Sequence, residues 1–246
     1  MGIGSGLVAD SVGHREYAEC LLKMKFLTDR VRTFSLIETV LYDRSDAALS
    51  GEGGFAYLAG HLKRLETSAR YFGFRYDEGA VRAALAAKAA GEGSVRQRVR
   101  LLLAEDGAIT VASTALGAAD PSTVMTYVVS PTRLKSGDLY LFHKTTERQL
   151  YDQEWAHYHE TMGADEVIYL NEAGEVCEGS RTSIFVMRDG TLLTPALSAG
   201  LLPGVLRAEL LASGQAVEAR LTLADLEGAQ VYLGNSVRGL VRAEAL

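Results

Sequence analysis

Between Val95 and Leu103 the chain alternates: Val95, Gln97, Val99, Leu101 and Leu103 fall on one side, Arg96, Arg98 and Arg100 on the other. That period of two, with one mostly apolar side, belongs to a half-buried strand. The chain must therefore build a sheet with one covered face, and the arginines read as the solvated face. Amphipathic helices precede the strand in sequence. Leu58, Leu62, Leu65, Ala69 and Phe72 recur at helical spacing before Gly73, a C-terminal stop, and a second helix is expected over 78–90. Strand composition marks Thr33–Tyr42, and a shorter strand is expected over Gly54–Leu58.

Further strands are expected at 109–115, 124–129 and 139–143, and a boundary near 131–137. The second half reads as a helix over 151–162, then strands at 166–170, 183–187 and 192–194, the last two joined by the hairpin pair Asp189-Gly190. A helix over 204–212 follows Pro203, Thr222 caps a short helix, and strands at 231–233 and 240–242 complete an α+β chain. Residues 1–27 differ in kind: a glycine-rich start, GIGSG, leads to a helical stretch from Arg15 to Leu27. The organisation expected is an appendage over 1–27, a small α+β domain over 28–135 and a larger domain over 136–246.

Composition narrows the function classes. Four prolines and no Gly/Ser/Pro tract leave no evident linker, and no run approaches the roughly 20 apolar residues of a membrane span. With no basic, apolar leader at the N-terminus, a cytoplasmic location is expected. Two cysteines, Cys20 and Cys177, make neither a disulfide framework nor a zinc site. A net charge of −6 with scattered basic residues lacks the footprint of a nucleic-acid binder. His157 and His159, two apart on one helix, point to different faces and do not share a metal ion.

Small-molecule chemistry is the better expectation, and three places carry it. Lys144 follows a short apolar run in LYLFHKTTERQLYD; a desolvated amine there has the lowered pKa that a nucleophilic lysine needs, although a lysine at a strand end is more often a surface charge. Glu178 lies in EVCEGSRTSIF, where a carboxylate can face a cationic ring nitrogen or simply be a turn residue in water. GLLPGVLR opens a helix whose free N–H groups suit an anion, or is an ordinary helix start.

Taken in order, HLKRL, FHKTTxRxxYD, EGSRTSIF, GLLPGVLR and YLGNSVRG resemble the fold-type IV pyridoxal phosphate family over about residues 33 to 242. That family includes branched-chain and D-amino acid aminotransferases and 4-amino-4-deoxychorismate lyase. The resemblance implies a two-domain fold like that of D-amino acid aminotransferase and pyridoxal 5'-phosphate as cofactor. It implies that Lys144 holds the cofactor, that Glu178 pairs with its pyridine nitrogen, and that Leu202 packs on its ring. The phosphate would meet Arg64, the backbone N–H groups of Val205 and Leu206, and the hydroxyl of Ser236. Leu206 replaces a threonine common in the aminotransferases, so only a backbone contact is expected there.

Within the family, Glu38-Thr39 stands where branched-chain aminotransferases carry Glu-Gly, and the Thr39 hydroxyl resembles the lyase pattern of assisting proton transfer; as a bare residue Thr39 equally suits a strand. The appendage resembles the end of the chorismate-binding subunit of aminodeoxychorismate synthase, as if from a fusion with a lyase domain. The resemblance thus implies a lyase forming 4-aminobenzoate and pyruvate in folate synthesis, with a class IV aminotransferase as the alternative. A homodimer is expected, as is association with the synthase. Arg181 and Arg238 are the candidates for the substrate carboxylates, since guanidinium forks suit them, or else they are surface charges.

Overall fold

In the computed structural model, residues 33–91 and 95–246 are described; the 1–27 appendage and its helix lie outside them. The alternating segment forms strand β2 (Arg96–Leu103), the centre of an antiparallel sheet between β1 (Leu36–Asp43) and β3 (Ile109–Ala115). Val99, Leu101 and Leu103 are buried against helices α1 (Leu58–Phe72) and α2 (Glu78–Gly91), together with Leu36 and Val40 of β1. Gln97 is tolerated in this apolar row because its amide donates to the Ala89 carbonyl at 3.1 Å. Gly73 ends α1 in the left-handed region, its N–H on Ala69 O.

β2 pairs Arg100 with Thr39 and Arg98 with Leu41. Directly opposed residues share a face, so Thr39 and the two arginines lie together on the side away from the helices. The stretch over Gly54–Leu58, expected as a strand, makes only a single bridge, Phe55 to Tyr42. Tyr57 turns into the left-handed region at φ 53° and Leu58 already begins α1, so the chain leaves extended geometry before a second pair can form.

The second sheet has eight strands: β4 (Val124–Leu134), β5 (Glu166–Asn171), β6 (Val176–Gly179), β7 (Ser183–Arg188), β8 (Thr191–Pro195), β9 (Ala216–Ala219), β10 (Gln230–Asn235) and β11 (Gly239–Ala245). Their order is β6-β5-β4-β11-β10-β7-β8-β9, with β4 parallel to β5 and β11, and β8 parallel to β9. β4 belongs to this sheet, so the change from one sheet to the other falls between Ala115 and Val124. Asp189 and Gly190, both with positive φ, turn β7 into β8. The expected strand over 139–143 is instead a 3₁₀ turn, Leu139–Phe142, because Asp138 accepts the Tyr140 N–H and starts a tight turn. Helices α3 (Gln149–Met162) and α4 (Val205–Ala212) flank the sheet. Phe34–Leu246 forms one compact unit, and no helix among the described residues is long and apolar enough to cross a membrane.

Candidate active site

After the 3₁₀ turn the chain runs alongside β1. Ile37 N–H donates to Lys144 O at 2.8 Å, Thr146 N–H donates to Ser35 O at 2.9 Å, and Leu36 bridges Thr145. The lysine backbone is thereby fixed to the small sheet while its amine enters a cavity of about 510 Å³, a size suited to a cofactor with a small substrate. All ten candidate side chains line this one cavity: Thr39, Arg64, Lys144, Glu178, Arg181, Leu202, Val205, Leu206, Ser236 and Arg238. Burial, and then the guanidinium groups of Arg64 and Arg148, lower the Lys144 pKa from 10.5 to about 7 despite the opposing carboxylates of Glu38 and Glu178. The shift favours the unprotonated, nucleophilic form of this amine near neutral pH.

Glu178 is the third residue of β6, so the turn expected around it begins only after Gly179. Its Oε1 accepts the Tyr151 hydroxyl at 2.8 Å and its Oε2 the Leu202 N–H at 3.0 Å. Both donors are neutral, and burial outweighs them, raising the carboxyl pKa to about 7. Burial, and then the Glu178 carboxylate beside it, drive the Tyr151 phenol well above its usual range, so it remains a donor.

Arg64 is fixed more tightly than a phosphate ligand alone requires. Its Nε and Nη2 donate to the two oxygens of Glu38 at 2.9 and 2.7 Å, and Nη1 to Pro203 O at 3.2 Å. His61 Nδ1 meets the same carboxylate at 2.6 Å. Burial works against ionisation of Glu38, but Arg64 and His61 overcome it and hold its pKa near 2. Two guanidinium N–H bonds of Arg64 remain for an anion in the cavity. The opposite wall of that corner is the start of α4, where Gly204, Val205 and Leu206 line the cavity and no side chain caps the helix, which leaves its first N–H groups for an anion. The backbone is closely approached here. A Cβ on Gly204 would stand 2.6 Å from Ser183 Oγ, and one on Gly234 would stand 2.9 Å from Gly239 O and 3.0 Å from a Leu206 methyl. The Ser236 hydroxyl completes the corner, with only a long contact of 3.5 Å to Thr39 O.

These residues fit pyridoxal phosphate at each of its ends: a desolvated amine for the aldehyde, a buried carboxylate served only by neutral donors for the ring nitrogen, and Arg64, an uncapped helix start and Ser236 for the phosphate. The sequence reading missed several neighbours. Glu38 and His61 hold Arg64; the spacing of His61 and Arg64, three apart on one helix, was the available signal. Arg148, whose Nη2 donates to Ser180 O at 2.8 Å, and the Tyr151 phenol carried no separate signal. Glu166 is buried beneath the Ser180–Thr182 turn, accepting the Ser180 hydroxyl, the Arg181 N–H and the Thr182 hydroxyl. Arg98 and Arg100, expected on a merely solvated face, are exposed but line the cavity, because the face opposite the helices is the one Thr39 shares.

The chain is similar in sequence and fold to known proteins. A family model described as amino-transferase class IV matches residues 35–246. A protein of Schizosaccharomyces pombe named "Putative aminodeoxychorismate lyase" is 27% identical over 217 residues, covering 83% of this chain and 86% of its own. The crystal structure of a "Putative amino-acid aminotransferase" from Mesorhizobium loti is 39% identical, covers 87% of this chain and all of its own, and superposes with a TM-score of 0.79. A "Putative 4-amino-4-deoxychorismate lyase" from Legionella pneumophila shares the fold with a TM-score of 0.75 at 20% identity, covering 91% of this chain and 85% of its own. The chain belongs to the class IV amino-transferase family.

Proposed function

We propose that this chain is a pyridoxal phosphate-dependent 4-amino-4-deoxychorismate lyase, releasing 4-aminobenzoate and pyruvate in folate synthesis. The observation that carries the reading is the cavity wall. Five arginines, Arg98, Arg100, Arg148, Arg181 and Arg238, line it beyond Lys144, and a substrate with two carboxylates suits such a wall. The Thr39 hydroxyl lies in the same cavity, and the likeness to the Schizosaccharomyces pombe protein points the same way.

Bound cofactor supplies an electron sink for the carbon that loses its proton. The residues supply the rest. Lys144, which would hold the cofactor until the substrate amine takes its place, has a pKa lowered by burial and would take the proton from the carbon bearing that amine. Thr39 stands in the same cavity and assists that transfer. Glu178, once a cationic nitrogen faces it, is drawn back to its ionised form and keeps that nitrogen protonated. Arg64, Ser236 and the start of α4 hold the phosphate, and Leu202 packs on the ring. The electron pair released at the carbon expels the enolpyruvyl ether oxygen, and the enol takes up a proton to become pyruvate. No acceptor keto acid is consumed.

The purified protein with pyridoxal phosphate is expected to show a visible cofactor band and to release pyruvate from 4-amino-4-deoxychorismate without an added keto acid, while Lys144→Ala does neither. A band with no pyruvate, together with amino transfer to a keto acid, selects the second reading, an aminotransferase of branched-chain or D-amino acids, which the likeness to the Mesorhizobium loti protein favours. We also place the chain in the cytoplasm as a homodimer that works beside the synthase forming its substrate; the boundary expected near 131–137 moves to between Ala115 and Val124, where the change of sheet falls.

A further inference from the structure

Among the arginines of the cavity, Arg181 stands apart in how it is held. Its guanidinium carbon sits 3.7 Å from the centroid of the Trp155 ring. The indole is itself stacked on its other neighbour, His159, with centroids 4.7 Å apart and an interplanar angle of 11°. Both rings are tied to one turn: Trp155 Nε1–H donates to Asp165 O at 2.9 Å, and His159 Nδ1 meets Ala164 O at the same distance. A carbonyl only accepts, so Nδ1 carries the proton. The spacing of four on α3 aligns the two rings.

The backbone of Arg181 is pinned from both sides. Its N–H donates to the buried carboxylate of Glu166 at 3.1 Å, and its carbonyl accepts Asn235 Nδ2 at 3.2 Å. The guanidinium itself has no hydrogen bond or ion pair among the described residues. Arg148 is spent on Asp152 and Ser180 O, and Arg238, exposed as Arg181 is, has only a long contact to Met125 Sδ and no ring contact among the described residues. A guanidinium centred over an indole face is held there without using its N–H groups, which stay free for a planar carboxylate.

We propose that Arg181, held over the Trp155 ring, is the specificity residue for the ring carboxylate of the substrate, remote from the reacting amine, and that Trp155 is its positioning residue. The substrate named here rests on the lyase reading. Trp155 is the only tryptophan in the chain, so its emission reports directly on what meets Arg181.

The test titrates the holoenzyme with chorismate, which carries both carboxylates but a hydroxyl in place of the amine and so does not displace Lys144. Tryptophan emission and the visible cofactor band are followed together. Both signals are expected to saturate at one midpoint. Arg181→Met and Trp155→Leu each raise the midpoint read from the visible band about tenfold. Trp155→Phe, which keeps an aromatic face, is expected within about threefold of the wild type. With 4-amino-4-deoxychorismate the same variants raise KM and leave kcat within about threefold. A midpoint unchanged in Arg181→Met and Trp155→Leu overturns the proposal and leaves the lyase reading standing. A loss in Trp155→Leu that Trp155→Phe shares in full also overturns it, since the stack is then not what matters. No response to chorismate in either signal, with keto acids accepted as amino acceptors, overturns the lyase reading and the proposal with it.

Discussion

Glu38 and Glu178 are both buried carboxylates near Lys144, yet they are held in opposite ways. Glu38 takes a two-pronged guanidinium from Arg64 and the ring nitrogen of His61, and its pKa falls to about 2. Glu178 takes only a phenol and a backbone N–H, and its pKa rises to about 7. Burial disfavours the charge in both cases; the difference is whether a cation has been supplied. The charge of Glu38 is balanced without a ligand. Glu178 and the neighbouring amine of Lys144 are each left in an environment that a cationic ring and its aldehyde would relieve, and the cost of keeping them so is what makes the cavity reactive.

Four substitutions test that contrast. The largest effect is expected from Lys144→Ala, which removes the covalent link: no visible cofactor band, and turnover down by at least about 10³. Wild-type protein should form the link faster as pH rises through about 7, since the neutral amine reacts and the Lys144 pKa is lowered to that value; a rise near 10 instead would mean an ordinary lysine.

Next comes Glu38→Gln, which leaves Arg64 without its counter-charge. Stability should fall by about 3 to 5 kcal/mol in urea unfolding. The sign follows from the lowered pKa. The stabilisation from Glu38 is fully present above about 4.5 and is lost as pH falls toward 2, so wild type and variant should converge at the acid end of that window.

A smaller effect, about 10² in turnover or roughly 2.7 kcal/mol, is expected from Glu178→Gln, with weaker cofactor binding. Its stability effect should run the other way. Because the folded pKa is raised, the ionisation of Glu178 costs stability as pH rises from about 4.5 to 7. The cofactor-free variant should therefore melt no lower than wild type at pH 7.5, and higher if burial is the cause. Melting well below wild type would place Glu178 with Glu38, as a structural charge.

The smallest is Thr39→Val, for which a loss of about tenfold in pyruvate release is expected with cofactor binding unchanged. An unaltered rate would reduce Thr39 to a strand residue.

Much of this was legible in the sequence because it depended on local order. The alternation around Val99 marked the central strand of the small sheet, and the spacing of Leu58, Leu62 and Leu65 marked the helix that covers it. What escaped depends on pairing at a distance. The face carrying Arg98 and Arg100 looked solvated because nothing local shows that Thr39, opposite Arg100, brings that face to a cavity. The stretch over 139–143 has strand composition, but one Asp138 side chain turns it into 3₁₀ geometry. Short β6 and β9 lack the length for a periodic signal and exist through their neighbours in the eight-stranded sheet. The resemblance implied Arg64 as a phosphate ligand, but its hold by Glu38, 26 positions earlier, appears only when β1 and α1 pack.

The most direct test of the central claim is to reduce the protein with borohydride in the presence of pyridoxal phosphate at pH 7 and to map the labelled peptide. The account predicts label on Lys144 in the wild type and in Glu178→Gln, and none in Lys144→Ala. Label on another lysine, or equal labelling of the Lys144→Ala variant, would contradict it.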